Sequence, residues 1–211
     1  MTKSEFRGRD MNVEREIAKF LDKHLYSQSI VTQSKRTDDI NSQLHGSDIV
    51  ISIPTKEVNN AIVDEKAQTQ YINRPLPTFS LELSFISSKN KIIEGWLTDK
   101  EKVTEYYLFQ WIHKSDSDWN VKSEDIKKLE YALVSRDSIL NYLELHGYSI
   151  EELKKKDAEI RAKNQKGPHD KSAGKDFWFY HSTNLAESPI NIVLRKNVLL
   201  KLATISGIIE I

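Results

Sequence analysis

Two short apolar runs, separated by seven mostly polar residues, constrain this chain more than any other feature of it. The first is Gly46-Ser47-Asp48-Ile49-Val50-Ile51-Ser52-Ile53, the second is Ala61-Ile62-Val63-Asp64-Glu65-Lys66-Ala67-Gln68, and Pro54 to Asn60 connect them. Both runs carry the β-branched residues that favour strands. The spacing predicts two strands joined by a hairpin connection.

Side chains alternate across a strand, so Asp64, Lys66 and Gln68 share one face of the second run, and Val63, Glu65 and Ala67 share the other. If the strands pair as neighbours, Asp48 approaches Asp64, and two carboxylates meet one ammonium. Two carboxylates suit a hard cation such as magnesium. Such a cation lowers the pKa of a bound water and neutralises charge developing on a phosphate, while the lysine orients or helps deprotonate that water. The residue types therefore point to metal-dependent cleavage of a phosphodiester. The competing reading places Asp48 at a strand end and Asp64-Glu65-Lys66 in an exposed polar turn.

The pattern of Asp48, Asp64 and Lys66 resembles the PD-(D/E)xK nuclease superfamily. Ser47 stands where the family name has proline, and Asp64 where glutamate is commoner; neither change removes an oxygen able to bind metal. The resemblance implies an α/β fold: a restriction-endonuclease-like core with a mixed central β-sheet flanked by helices. It also implies magnesium as cofactor, with manganese able to substitute, DNA as substrate, and a homodimer that cuts both strands. Members often add a glutamate from the first helix. In a helix from Val13 to Leu25 the apolar stripe is Val13, Ile17, Phe20 and Leu21, and Glu14 lies closer to its centre than Glu16. Glu14 is therefore the preferred third acid. Gln68 resembles the extra polar residue one pleat beyond the lysine, and Gln43 and His45 precede the first strand closely enough to reach the same cleft. A restriction or defence nuclease is the setting implied. The alternative is a catalytically inactive nuclease-fold module that binds DNA or regulates a partner.

Composition narrows the field. With 211 residues the chain suits a single domain, 1–211, in which a nuclease-like core of roughly residues 10–114 is followed by a helical and basic C-terminal elaboration over 115–211. It has no cysteine, which excludes disulfides, thiolate nucleophiles and cysteine-ligated metal sites. The six histidines include no pair at i and i+4, and there is no glycine-rich phosphate loop. No apolar run is long enough to span a membrane and the N-terminus lacks a secretory signal, so a cytoplasmic protein is expected. The 31 basic and 31 acidic side chains give zero net charge. Phosphate affinity must then be local, and Lys154 to Lys175, with eight basic residues against three acids, is the segment that could offer it; the competing and favoured reading is a solvated helix and a mobile loop.

Elsewhere, Ser27 to Ser42 reads as polar and irregular. Phe79, Leu81, Leu83 and Phe85 alternate with Ser80, Glu82 and Ser84 as a strand with one buried and one polar face; Glu82 can join the acids if that strand abuts Asp64, but a surface glutamate is the favoured reading. Thr98-Asp99-Lys100-Glu101 reads as a capping box opening a helix, and Tyr106 to Ile112 either extends that helix or forms a strand, which its aromatic enrichment favours. Ser115-Asp116-Ser117-Asp118 marks a loop and Leu129 to Val134 a strand. Ser135 caps a helix with Ile139, Leu140 and Leu143 inward, and Ser149 and Glu152 start another that ends near Asn164. Lys166 to Lys175 reads as a loop, followed by strands at Phe177–Tyr180 and Ile190–Leu194.

Overall fold

In a computed structural model of the protein, the two apolar runs pair as antiparallel neighbours, with Ile49 opposite Val63 and Ile51 opposite Ala61. The structure describes residues 3–37, 39–115, 121–172, 175–183, 185 and 187–211, with only the backbone of residues 3–10 and 40. The order of elements is α1 (Lys3–His24), β1 (Gln33–Arg36), α2 (Ile40–Leu44), β2 (Ile49–Ile53), β3 (Val58–Ala67), β4 (Thr78–Ile86), β5 (Ile92–Glu94), β6 (Tyr106–Lys114) and β7 (Ile126–Ser135). It continues through α3 (Arg136–Leu145), α4 (Ile150–Lys163), β8 (Gly167–His169), β9 (Phe177–His181), β10 (Ile190–Arg195), α5 (Lys196–Leu202) and β11 (Ile205–Glu210). The class is α/β, as expected. No helix among the described residues is long and apolar enough to cross a membrane.

Two compact units form. The first comprises Met1–Leu76, Thr104–Leu133 and Ala203–Ile211, and the second comprises Pro77–Val103 and Val134–Leu202. Strands from both sides of residue 115 thus share the first unit.

That unit is built on a six-stranded sheet in the order β1-β2-β3-β6-β7-β11. It is mixed, because β3 and β6 run parallel while β1–β2, β2–β3 and β7–β11 are antiparallel. One face carries Ile49, Ile51, Ile53, Val63, Leu108 and Ile112, which pack with Val13, Ile17, Phe20 and Leu21 of α1. Helix and sheet here follow from matched periodicities: the apolar stripe of α1 covers the odd-numbered residues of β2. The β2–β3 hairpin carries a bulge. Asn60 adopts a left-handed φ of 49°, the register shifts between Ile51 and Ile53, and Ser52 Oγ accepts the Asn60 N–H at 2.9 Å.

The second unit holds an antiparallel sheet, β5-β4-β10-β9-β8, with β4 paired to β10 and β5. Ser135 and Ser149 cap α3 and α4 through Ser138 and Glu152 N–H, as the sequence predicts. Ile139 and Leu143 are buried while Leu140 is half-buried.

Several expectations change. The stretch from Ser27 to Ser42 is not irregular throughout, since it holds β1 and the start of α2. No helix opens at Thr98: its hydroxyl donates to Leu83 O, and Arg136 donates to the carbonyls of Leu97, Asp99 and Lys102, which holds this segment as turns. The strand at Phe79–Phe85, expected within the nuclease-like core, belongs instead to the second sheet as β4. Ser84, on the polar face of β4, is nonetheless buried, because Asp157 and Arg161 of α4 engage its hydroxyl. Lys166–Lys175 is not loop throughout, because Gly167–His169 pairs with β9. Residues 116–118 of the Ser115–Asp118 loop, with 173 and 174, lie outside the described residues.

Candidate functional site

Asp48 is the residue before β2, and the β2–β3 register continued by one position sets it opposite Asp64. Its backbone is tied on both sides, donating to Val63 O at 3.0 Å and accepting from Thr37 N at 3.0 Å. Its side chain turns to β3, where Oδ2 accepts the Glu65 backbone N–H at 2.7 Å. Ser47 is buried and shares a 3.0 Å hydrogen bond with Thr37 Oγ1.

On β3 the alternation separates three consecutive charges. Asp64 is 5% exposed, and Lys66 Nζ lies 2.7 Å from its Oδ1 on the same face. The parallel neighbour β6 sets buried Tyr107 beside Asp64 and buried Phe109 beside Lys66. Gly46 makes the close approach possible. With φ of 84°, it takes a conformation L side chains rarely adopt, and a Cβ there would meet Thr104 Oγ1 at 2.1 Å and Asp64 Oδ2 at 3.5 Å. Thr104 Oγ1 donates to Gly46 O at 2.7 Å and fixes this packing.

Burial, and then the negative charge of Asp64, push the Asp48 carboxyl up to about 7. The Glu65 amide and the Lys66 ammonium act in the opposite direction and do not cancel this. A buried carboxyl beside another negative charge holds its proton more readily, and a cation placed next to it relieves that. Asp48 and Asp64 are accordingly the side chains that could hold a hard metal ion, and Lys66 is a cation positioned to bond a water or phosphate oxygen beside them. Among the described residues there is no group of three or more metal-ligating side chains.

The remaining candidates are placed differently. Glu14 is exposed on α1, whose apolar stripe covers the opposite face of the sheet. Glu16 instead pairs with Lys19 at 2.6 Å and accepts the Ser123 N–H at 3.0 Å. Gln68 falls just past the end of β3, where its N–H donates to Gln110 O and its Oε1 accepts from Leu76 N at 2.8 Å. Gln43 donates to Thr37 O and His45 bonds Asn41 O, both exposed. Glu82 belongs to β4, whose sheet neighbours are β5 and β10; the strand abutting Asp64 is β6.

Sequence reading missed the partners of Glu65. This carboxylate, on the opposite face from Asp64, accepts from Tyr26 Oη at 2.7 Å and from Arg36 Nη1 at 2.9 Å. Burial and the neighbouring Glu65 charge hold the Tyr26 phenol well above its usual value. A glutamate inside an apolar run was the available signal, because a buried carboxylate needs a cation and donors. No family model matches the chain, and no match is found among curated proteins or solved structures.

Proposed function

We propose that the protein is a magnesium-dependent DNA endonuclease with a restriction-endonuclease-like core. The observation that carries the proposal is the Lys66–Asp64 ion pair on β3 beside Asp48, whose carboxyl is pushed up by burial and then by the charge of Asp64. The mixed sheet around them supports it. Asp48 and Asp64 would hold magnesium, or manganese in its place. When bound, the ion lowers the pKa of its water and stabilises charge on the phosphate.

The chain's own groups supply the rest. Asp64 keeps the Lys66 ammonium at the site, and Lys66 orients the attacking water through a hydrogen bond. Buried aromatic neighbours Tyr107 and Phe109 lower the local dielectric, which strengthens each of these charge interactions. The resemblance adds Glu14 and Gln68 as auxiliary groups. They carry less of the proposal, because α1 covers the other face and Gln68 already accepts from Leu76. A homodimer that cuts both strands, a cytoplasmic location and a role in restriction or defence complete the reading, by analogy of fold.

Supercoiled plasmid incubated with the protein and magnesium tests it. Nicked or linear product should form with the native chain and fail to form with Lys66→Ala or with chelator. Equal cleavage by both proteins, or none by either across several DNA forms, would overturn the proposal.

A further inference from the structure

We infer that Arg36 and Glu65 are a positioning pair that sets how closely Asp48 approaches Asp64, and through that the affinity of the two carboxylates for a divalent cation. The inference rests on the cation-binding part of the proposed function. Glu65 lies between Asp64 and Lys66 in sequence but points to the opposite face of the sheet. There its Oε1 accepts from Tyr26 Oη at 2.7 Å and from Arg36 Nη2 at 3.2 Å, and its Oε2 from Arg36 Nη1 at 2.9 Å. The guanidinium is itself anchored to α1, through Asp22 at 2.9 and 3.0 Å and Ala18 O at 3.1 Å.

The clamp reaches the site through the backbone. Glu65 N–H bonds Asp48 Oδ2 at 2.7 Å, and Thr37, the residue after Arg36, bonds Asp48 O at 3.0 Å. Asp48 is therefore held by one residue of the pair and by the chain neighbour of the other. Any shift of Glu65 moves the amide that fixes Asp48 and also the two residues beside it, Asp64 and Lys66. The Glu65 and Arg36 side chains are 11% and 26% exposed, so solvent does not replace a lost partner freely. Lysine cannot reproduce the planar fork by which Arg36 meets both Glu65 oxygens and Asp22 at once.

Titration of Mn2+ into the native chain, Arg36→Lys, Tyr26→Phe and Ile209→Ala, followed by calorimetry and paired with thermal melting of each, tests the inference. Ile209→Ala removes core packing on β11, at the sheet edge opposite β1, without touching α1 or Glu65. The Mn2+ dissociation constant should rise about 10-fold in Arg36→Lys and by a smaller factor in Tyr26→Phe. It should stay at the native value in Ile209→Ala even where the melting temperature falls as far. Where Arg36→Lys does not fold, Tyr26→Phe alone decides. Native affinity in the folded clamp variants, affinity loss that tracks melting temperature in all three, or no Mn2+ binding by the native chain would overturn the inference. Asp48-dependent Mn2+ binding without DNA cleavage would refute the nuclease reading while the comparison among variants still decides the role of the pair.

Discussion

Lys66 Nζ lies 2.7 Å from Asp64 Oδ1, two residues back on the same strand and on the same face of the sheet. The contact ties a cation to the carboxylate whose charge acts on Asp48. In the proposed function the lysine has two roles: it offsets part of that charge, and it orients water beside a bound phosphate.

Removal of the lysine should therefore reduce cleavage far more than DNA binding. Lys66→Ala is expected to lower the cleavage rate about 100- to 10,000-fold, with its affinity for DNA changed little. Single-turnover cleavage beside a binding titration in calcium measures the two separately.

The raised carboxyl of Asp48 has a signed effect on stability. Its folded value of about 7 lies above the usual carboxylate range, so the folded state binds more protons than the unfolded state between about pH 4 and pH 7. Its contribution to stability is fully present below about pH 4 and is lost as pH rises through about 7. In chelator, the melting temperature of the native chain should thus decline over this interval relative to that of Asp48→Asn. Glu16, Asp39 and Asp170, whose carboxyls are lowered, act in the opposite sense in both proteins and cancel in the difference. Parallel curves for the two proteins would contradict the assignment.

Gly46 admits no side chain. Gly46→Ala meets Thr104 Oγ1 at 2.1 Å in a left-handed conformation, and a destabilisation of about 2–4 kcal/mol is expected from strain and overpacking together. Urea denaturation measures it. The added Thr104→Ala substitution removes the clash but not the strained φ, so it should restore part of the loss.

The sequence exposes what is local and periodic. The strands β2, β3, β4, β6, β7, β9 and β10 are legible because each is an apolar or alternating run, and α3 and α4 because Ser135 and Ser149 announce them. The four residues of β1, Gln33-Ser34-Lys35-Arg36, carry no apolar signal; pairing with β2 makes them a strand. Gly167-Pro168-His169 hides in the same way. Thr98 fits the pattern of a capping box, yet the distant Leu83 and Arg136 take the groups that a helix would have needed. At the site, Asp48, Asp64 and Lys66 are legible from alternation and hairpin pairing. Tyr26 and Arg36 are not, because their bonds to Glu65 span 39 and 29 residues.

Arg136 is a further consequence of that non-local wiring. Its guanidinium donates to Leu97 O at 3.0 and 3.1 Å, to Asp99 O at 2.6 Å and to Lys102 O at 3.2 Å. Arg136→Ala leaves these carbonyls short of donors, and a loss of about 2–3 kcal/mol is expected. Arg136→Lys should recover little of it, since one ammonium cannot span three carbonyls set by a planar fork. Chemical denaturation of both variants checks the order.

The most direct measurement is a crystal structure of the protein soaked in manganese, with anomalous differences collected at the metal edge. The account predicts an anomalous peak bonded to carboxylate oxygens of both Asp48 and Asp64, lost in Asp64→Asn. A map without density between those two residues, or with their carboxylates turned away from each other, would contradict it.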